Sequence, residues 1–288
     1  MRQILLFLII AIPFWMITSC GEPAADAERH ADFEAALDSG KGELKALYVT
    51  SEGFAYRDAG DSLTGFTVEL LRGLRDFVRS EYDMDLKITF EEVKDWSEFY
   101  RMIKEGEDGK IGLGNVTITE ERREELAFSP PYMNNIASLI THASLPELQD
   151  FAEISDIFFE MGALAFEGTL HEQRLRNIIE DYFPESWIEM AHSNDEIIDS
   201  VAAGDRWFAY IDLYNYQRAA NRGLPLQRHP VADETGEQFG YIMPLNSSWE
   251  TPVRAYFEQD EGLTNSVFYK DLMREHLGRE LADVLLGG

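Results

Sequence analysis

Apolar positions along this chain follow two periods in turn. Short apolar runs bounded by polar turns read as strands at residues 44–50, 86–90, 136–141, 161–166, 187–190 and 207–211. Between them apolar residues recur at helical spacing. Leu70, Leu71, Leu74, Phe77 and Val78 form one stripe; Trp96, Phe99, Tyr100 and Ile103 form a second. Leu175, Ile178, Ile179 and Tyr182 form a third, and Ile197, Ile198, Val201 and Ala202 a fourth. Start signals agree with these stripes: Asp95 with Glu98, Thr169 with Glu172 and Ser193 with Glu196 have capping-box spacing. A helix over 213–221, a strand over 237–244, a helix opened by Thr251-Pro252 and a last helix over 263–277, ended by Gly278, complete the pattern. Strands alternating with helices predict an α/β fold.

Residues 110–133 carry the first chemical signal. A short strand with Ile111 and Leu113 leads to a helix capped by Thr119, with Glu120 and Glu121 in its first turn. Acids there suit the helix dipole and a threonine suits the cap. Arg122 opposes that dipole, so it is either a solvated surface residue or a cation held to meet an anion. Two further positions have the same double reading. The turn Glu167-Gly168-Thr169-Leu170 precedes a helix whose free N–H groups make either an anion site or a plain cap. Asp212 ends a buried strand, where ligands gather in open α/β sheets, and it is equally placed to cap the helix that follows.

Composition narrows the classes. At 288 residues and 45% hydrophobic, the chain can fill one large or two modest domains. A net charge of −28 argues against nucleic acid and against anionic lipid surfaces. The six histidines show no metal-ligand spacing, and neither a glycine-rich phosphate loop nor a nucleophile elbow appears, so no cofactor and no enzymatic activity are expected. Met1-Arg2-Gln3 followed by an uncharged stretch over 4–17 reads as a signal peptide, too short to span a bilayer. Its end, Ile17-Thr18-Ser19-Cys20, resembles the lipobox of bacterial lipoproteins, which implies lipidation at Cys20 and a membrane anchor. Cys20 is the sole cysteine, which leaves no internal disulfide.

The string Asn-Val-Thr-Ile-Thr-Glu-Glu-Arg at 115–122, then Phe-Ser-Pro-Pro-Tyr at 128–132, resembles the signature of family 3 of the bacterial solute-binding proteins, receptors of amino-acid ABC transporters. Gly65-Phe66-Thr67-Val68-Glu69-Leu70 is similar to the family's first helix. The resemblance runs from about residue 44 to 277. It implies a type II periplasmic-binding-protein-like α/β fold, two lobes of mixed sheet flanked by helices and joined by two crossing strands. The organisation expected is a signal peptide at 1–19, an acidic tether at 20–41 with a helix around 31–37, lobe 1 at 42–141 with 238–288, and lobe 2 at 142–237.

It also implies roles. Arg122 takes the α-carboxylate of a small zwitterion, helped by amides near Gly168 and Thr169. Asp212, with Asn115 and Thr117, takes its ammonium. Trp96, a core residue by spacing, stacks on the ligand in the family. Side-chain selectivity falls to the 51–57 loop with Phe54, to Trp96 and to 166–171 with Leu170. That loop and Lys110 depart from the amino-acid receptor pattern, so ligand identity stays open. The implied protein is a monomeric lipoprotein on the periplasmic or cell-surface face of a bacterial membrane, delivering its ligand to an ABC permease. Two alternatives share the fold. The 53–56 loop and Tyr182-Phe183-Pro184-Glu185-Ser186-Trp187 resemble the receptor-type domain of membrane-bound lytic transglycosylases, which implies a sensing module. A dehydratase-like enzyme would use Glu167 as general acid.

Overall fold

The computed structural model describes residues 32–286. The first half opens with α1 (Phe33–Ser39), β1 (Lys41–Tyr48), the small hairpin β2 (Tyr56–Arg57) and β3 (Leu63–Thr64), and α2 (Phe66–Tyr82). It continues through β4 (Asp85–Glu92), α3 (Trp96–Lys104), β5 (Lys110–Thr117), α4 (Glu120–Arg123) and β6 (Leu126–Phe128). The long strand β7 (Met133–His142) leads to α5 (Ile154–Ile157), β8 (Gly162–Phe166), α6 (Leu170–Tyr182), β9 (Ile188–Ala191), α7 (Asn194–Ala202), β10 (Trp207–Asp212) and α8 (Leu213–Asn221). The return strand β11 (Leu226–Pro244) is followed by α9 (Glu250–Glu258), α10 (Val267–Leu277) and α11 (Arg279–Leu286).

The sheet path is β4-β1-β5-β11-β7-β10-β8-β9, with β6 also on β11. β4, β1 and β5 run parallel on one side, and β10, β8 and β9 run parallel on the other. Between them β7 and β11 pair antiparallel from Met133 opposite Phe239 to His142 opposite Leu226. Two register shifts interrupt that ladder, between His229 and Glu234 and between Thr235 and Glu237. Such bulges bend and twist a strand pair, which suits a passage between two halves. This is the α/β fold that the sequence pattern predicts, in the two-lobed form with crossing strands that the family resemblance implies.

Each half has apolar packing of its own, and a further cluster joins them, with Leu47, Trp96 and Phe99 alongside Phe166, Ala191 and Ile197. In the first, Leu70, Leu71, Leu74 and Val78 of α2 bury against Tyr256 and Phe257 of α9, around a fully buried Trp249. In the second, Leu175 and Ile178 of α6 join Phe158, Phe183 and Phe208. Among the described residues no helix is long and apolar enough to cross a membrane.

Several expectations need correction. The tether does not run to residue 41: α1 is a packed helix, and Phe33 stacks edge-on against Tyr82 and Trp249. Signal peptide, lipobox and Cys20 lie outside the described residues. The expected 263–277 helix is a 3-10 turn at Leu263–Asn265 followed by α10, capped afresh by Ser266, and α11 continues beyond Gly278. The Thr169 capping box does not form: Thr169 Oγ1 donates to Phe166 O, and Glu172 takes the N–H of Gly168, one residue before the cap. Tyr182 is not on the buried face of α6; it is 46% exposed and stacks on Phe151. One histidine is fully buried. His229 Nδ1 accepts the Leu148 N–H at 2.9 Å, and its Nε2 lies 2.8 Å from Thr141 Oγ1.

Burial depresses the pKa of His229 to about 4, because the interior disfavours the charged ring. The unfolded chain takes up this proton near pH 6.5 and the native protein only near pH 4, so the stability this group confers is complete above pH 6.5 and is lost as pH falls towards 4. Urea unfolding should therefore show on the order of 3 kcal/mol lost across that window. A stability flat between pH 6.5 and 5, above the carboxylate range, would contradict it.

Candidate ligand-binding cleft

The cleft is built at the strand ends where the halves meet. It encloses a cavity of about 390 Å³ lined from the first half by Ser51, Glu52, Trp96, Gly114, Asn115, Thr117 and Arg122, and from the second by Thr169, Leu170, His171, Asp212, Asn215 and Arg218. Arg122 and Asp212, far apart in the chain, thus face one space.

Arg122 follows directly from the short helix α4. Thr119 caps that helix by accepting the Arg122 N–H, and the guanidinium folds back so that Nη1 donates to Thr117 O at 3.0 Å. It lies 5.5 Å over each of the Trp96 and Tyr100 rings, which stack on each other. Tyr100 is fixed in turn by donating to Glu125 at 2.6 Å. Burial lowers the pKa of Arg122 from its ordinary value. Among the described residues no carboxylate pairs with it, although Lys104 holds Glu125 nearby and depresses that carboxyl. A desolvated cation with spare donors is suited to an anion brought from outside.

Asp212 is buried at the end of β10, and its Oδ1 accepts from Asn135 Nδ2 at 2.6 Å and lies 3.3 Å from His171 Nε2. It makes no side-chain cap on α8, so the capping reading is not realised. Asn115 sits at φ 51, in the left-handed region, within β5. Asparagine tolerates that conformation better than most residues. Its side chain is consumed inside the protein: Oδ1 accepts from Tyr132 and Nδ2 donates to Tyr214. Burial, with Asp212 close by, raises the Tyr214 pKa, so that phenol stays protonated.

Two expected contacts are not made. Phe54 is 1% exposed and lies behind the wall, packed against Tyr214 and Phe66, while Ser51, Glu52 and Tyr56 of the same loop reach the cavity. Gly168 is off the lining, and its amide is already given to Glu172 Oε2 at 2.9 Å. Thr169 and Leu170 do line the cavity, and the first-turn amides of α6 have no intrahelical acceptors. Glu167 lies outside the cavity lining, 3.5 Å from His192 Nδ1 at an exposed position.

Sequence reasoning missed other groups. Arg218 of α8 spans the cleft, 3.2 Å from Glu52 of the first half and 3.2 Å from Asp195 of the second. Asn215 lines the cavity one turn earlier, and its Oδ1 takes an Arg218 N–H at 3.3 Å. The i, i+3 spacing of Asn215 and Arg218 just after Asp212 was the signal available. Asn135, Arg174 and Glu237 gave none, because their meeting depends on strand register. Among the described residues no cluster of His, Cys, Asp and Glu is arranged to hold a metal ion.

Two α/β lobes on a bent strand pair, with a charged cavity between them, define a cleft-type binding protein. Residues 46–223 match the bacterial extracellular solute-binding proteins, family 3, and the chain belongs to that family. Solved structures of the same fold include the arginine-, lysine-, histidine-binding protein ArtJ from Geobacillus stearothermophilus, at 17% identity and TM-score 0.65, covering 82% of this chain and 96% of that one. The GluR0 ligand-binding core from Nostoc punctiforme in complex with L-glutamate is similar at 17% identity and TM-score 0.65, covering 82% and 100%. The ancestral amino acid-binding protein AncCDT-1, a precursor of cyclohexadienyl dehydratase, is similar at 17% identity and TM-score 0.65, covering 85% and 98%. No curated protein sequence matches the chain.

Gly168 at φ 75 also brings the halves together, since a Cβ there would collide with Ser97 Oγ of α3. Gly168→Ala should cost about 1–2 kcal/mol in urea unfolding, part from backbone strain and part from the collision. Adding Ser97→Ala, which removes Oγ and leaves Cβ at an ordinary 3.6 Å, should recover only the collision part. Full recovery, or no loss at all, would show that the left-handed backbone is not demanded.

Proposed function

We propose that this protein captures an amino acid or similar small zwitterion between its lobes, with Arg122 taking the carboxylate and Asp212 the ammonium. The observation that carries the reading is the pairing of unlike charges on one cavity: a desolvated guanidinium that no carboxylate among the described residues pairs with, and a buried carboxylate whose polar neighbours are an amide and an imidazole. The two poles of a zwitterion satisfy both at once, and a buried charge left unmatched is expensive.

The supporting groups follow. The first-turn amide of Leu170 assists Arg122, while the Thr169 N–H is given to Phe166 O at 3.3 Å. With the Asn115 side chain committed to two tyrosines, its main-chain carbonyl joins the Thr117 hydroxyl in assisting Asp212. Trp96 holds Arg122 on one face and borders the cavity, which reconciles its core spacing with a site role. Lobe 1 comprises 42–141 with 238–288 and lobe 2 comprises 142–237, with α1 added to lobe 1 by its packing. Ligand contacts to both lobes, with Arg218 bridging Glu52 and Asp195, favour the closed form that a permease reads. In this reading the protein is a receptor lipoprotein anchored at Cys20, serves an ABC permease and catalyses nothing. Glu167, the acid a dehydratase would need, sits outside the cavity lining.

A thermal-shift screen of the twenty amino acids and short peptides tests the proposal. A ligand at a hundred times its Kd should add about 2.7 kcal/mol of stability. Arg122→Ala should abolish that response while retaining the parent's circular dichroism, with at least about 2 kcal/mol of binding lost. If the variant responds as the parent does, the carboxylate assignment is wrong.

A further inference from the structure

Five polar side chains close a ring beneath the cleft. His171, 8% exposed, presents Nε2 to Asp212 Oδ1 at 3.3 Å and Nδ1 to Arg174 Nη1 at 3.1 Å. Arg174 forms an ion pair with Glu237 of β11 and lies 5.8 Å over the Tyr210 ring. Glu237 Oε2 accepts from Asn135 Nδ2 at 2.9 Å, and the same amide nitrogen donates to Asp212 Oδ1 at 2.6 Å, which returns to the start. Asn135 and Glu237 face each other in the β7–β11 ladder, so the ring is seated on the crossing strands.

The donors fix the protons. A guanidinium has N–H groups and no acceptor. The imidazole nitrogen that meets it must therefore accept, and the single ring proton of neutral His171 must be on Nε2, where it donates to Asp212. A second proton, on Nδ1, would set donor against donor and cation against cation. Further charges around the ring are Glu234, which acts on Arg174 and Tyr210, Asp233, which acts on Tyr210, and the Arg122 guanidinium, while the Tyr210 phenol is kept neutral by burial. Arg174 is in an ion pair with Glu237 and acts on Asp212 only across the ring, His171 and Asn135 are neutral, and the ring as a whole keeps one negative charge, with no cation in contact with Asp212.

We propose that Arg174 is a positioning residue: by donating to His171 Nδ1 it holds the ring as the Nε2–H tautomer and keeps Asp212 an uncancelled anion for the ammonium. The role of Asp212 rests on the function proposed above; the tautomer does not, and it can be read without any ligand.

The test is nitrogen-15 NMR of the full-length protein labelled at histidine, with the His171 signals assigned by their absence in His171→Gln. In the parent, Nε2 should carry the proton and Nδ1 should show the shift of a hydrogen-bonded acceptor, both unchanged from pH 8 to pH 6. A ring protonated on Nδ1 anywhere in that range overturns the proposal, and this readout needs no variant of Arg174. In Arg174→Met the ring should take up a second proton on acidification across the same range, pairing with Asp212. Arg174→Gln, which keeps a donor, should hold the parental tautomer. Binding of the twenty amino acids, each supplied singly, should then weaken by about tenfold from pH 8 to pH 6 in the methionine variant and by less than about threefold in the parent. A purely structural Arg174 would lower stability without moving the ring titration, and that outcome also overturns the proposal. If the parent binds no amino acid but shows the stated tautomer, the functional reading fails and the ring assignment stands.

Discussion

The antiparallel ladder of β7 with β11 is the interaction on which the molecule hangs. Parallel strands on either side need helices as crossovers, and those helices bury each half around its own core. The chain passes out along β7 and back along β11, so one bent strand pair carries it between the two halves. Its bulges fall between His229 and Glu237, beside the residues that hold Asp212. The cleft is therefore a consequence of topology: it opens where the strands of both halves end, and its floor is the crossing pair.

That placement determines the electrostatics. A chain of net charge −28 has carboxylates to spare, yet the charges on the cavity are kept selectively unpaired. Arg122 is surrounded by π faces and one carbonyl instead of an acid, which retains its donors while removing it from water. Asp212 is surrounded by neutral donors, and the cation nearest to them, Arg174, is in an ion pair with Glu237. Aromatic and amide neighbours orient a charge without neutralising it, so each pole stays available. Arg218 follows the opposite rule and is matched by acids from both halves, as befits a group that joins them.

Local signals explain what was legible in advance. The stripes of α2 and α3, the caps at Asp95, Thr119 and Ser193, and the bounds of α8 depend on neighbours within one or two turns. Arg122 stood out because it opposed its own helix dipole, and Asp212 because it closed a buried strand. The failures share a cause. Residue 33 of the supposed tether is apolar, but nothing nearby shows that Tyr82 and Trp249 wait to cover it. Phe54 lies in the right loop, yet alternate residues of a loop can face core or cleft, and Tyr214 decided which.

The order of strands and helices, the α/β class and the short-range caps were thus determined by the amino-acid sequence itself, because periodicity and capping act over a few residues, whereas the two lobes were implied only by the family resemblance of residues 115–132. Only the tertiary structure decided which polar groups are joined. The Asp212–His171–Arg174–Glu237–Asn135 ring draws on four separate elements, and it exists because strand register sets Asn135 opposite Glu237. Register follows from which face of each strand is buried, and with the paired residues 102 positions apart no single short stretch of the chain displays it.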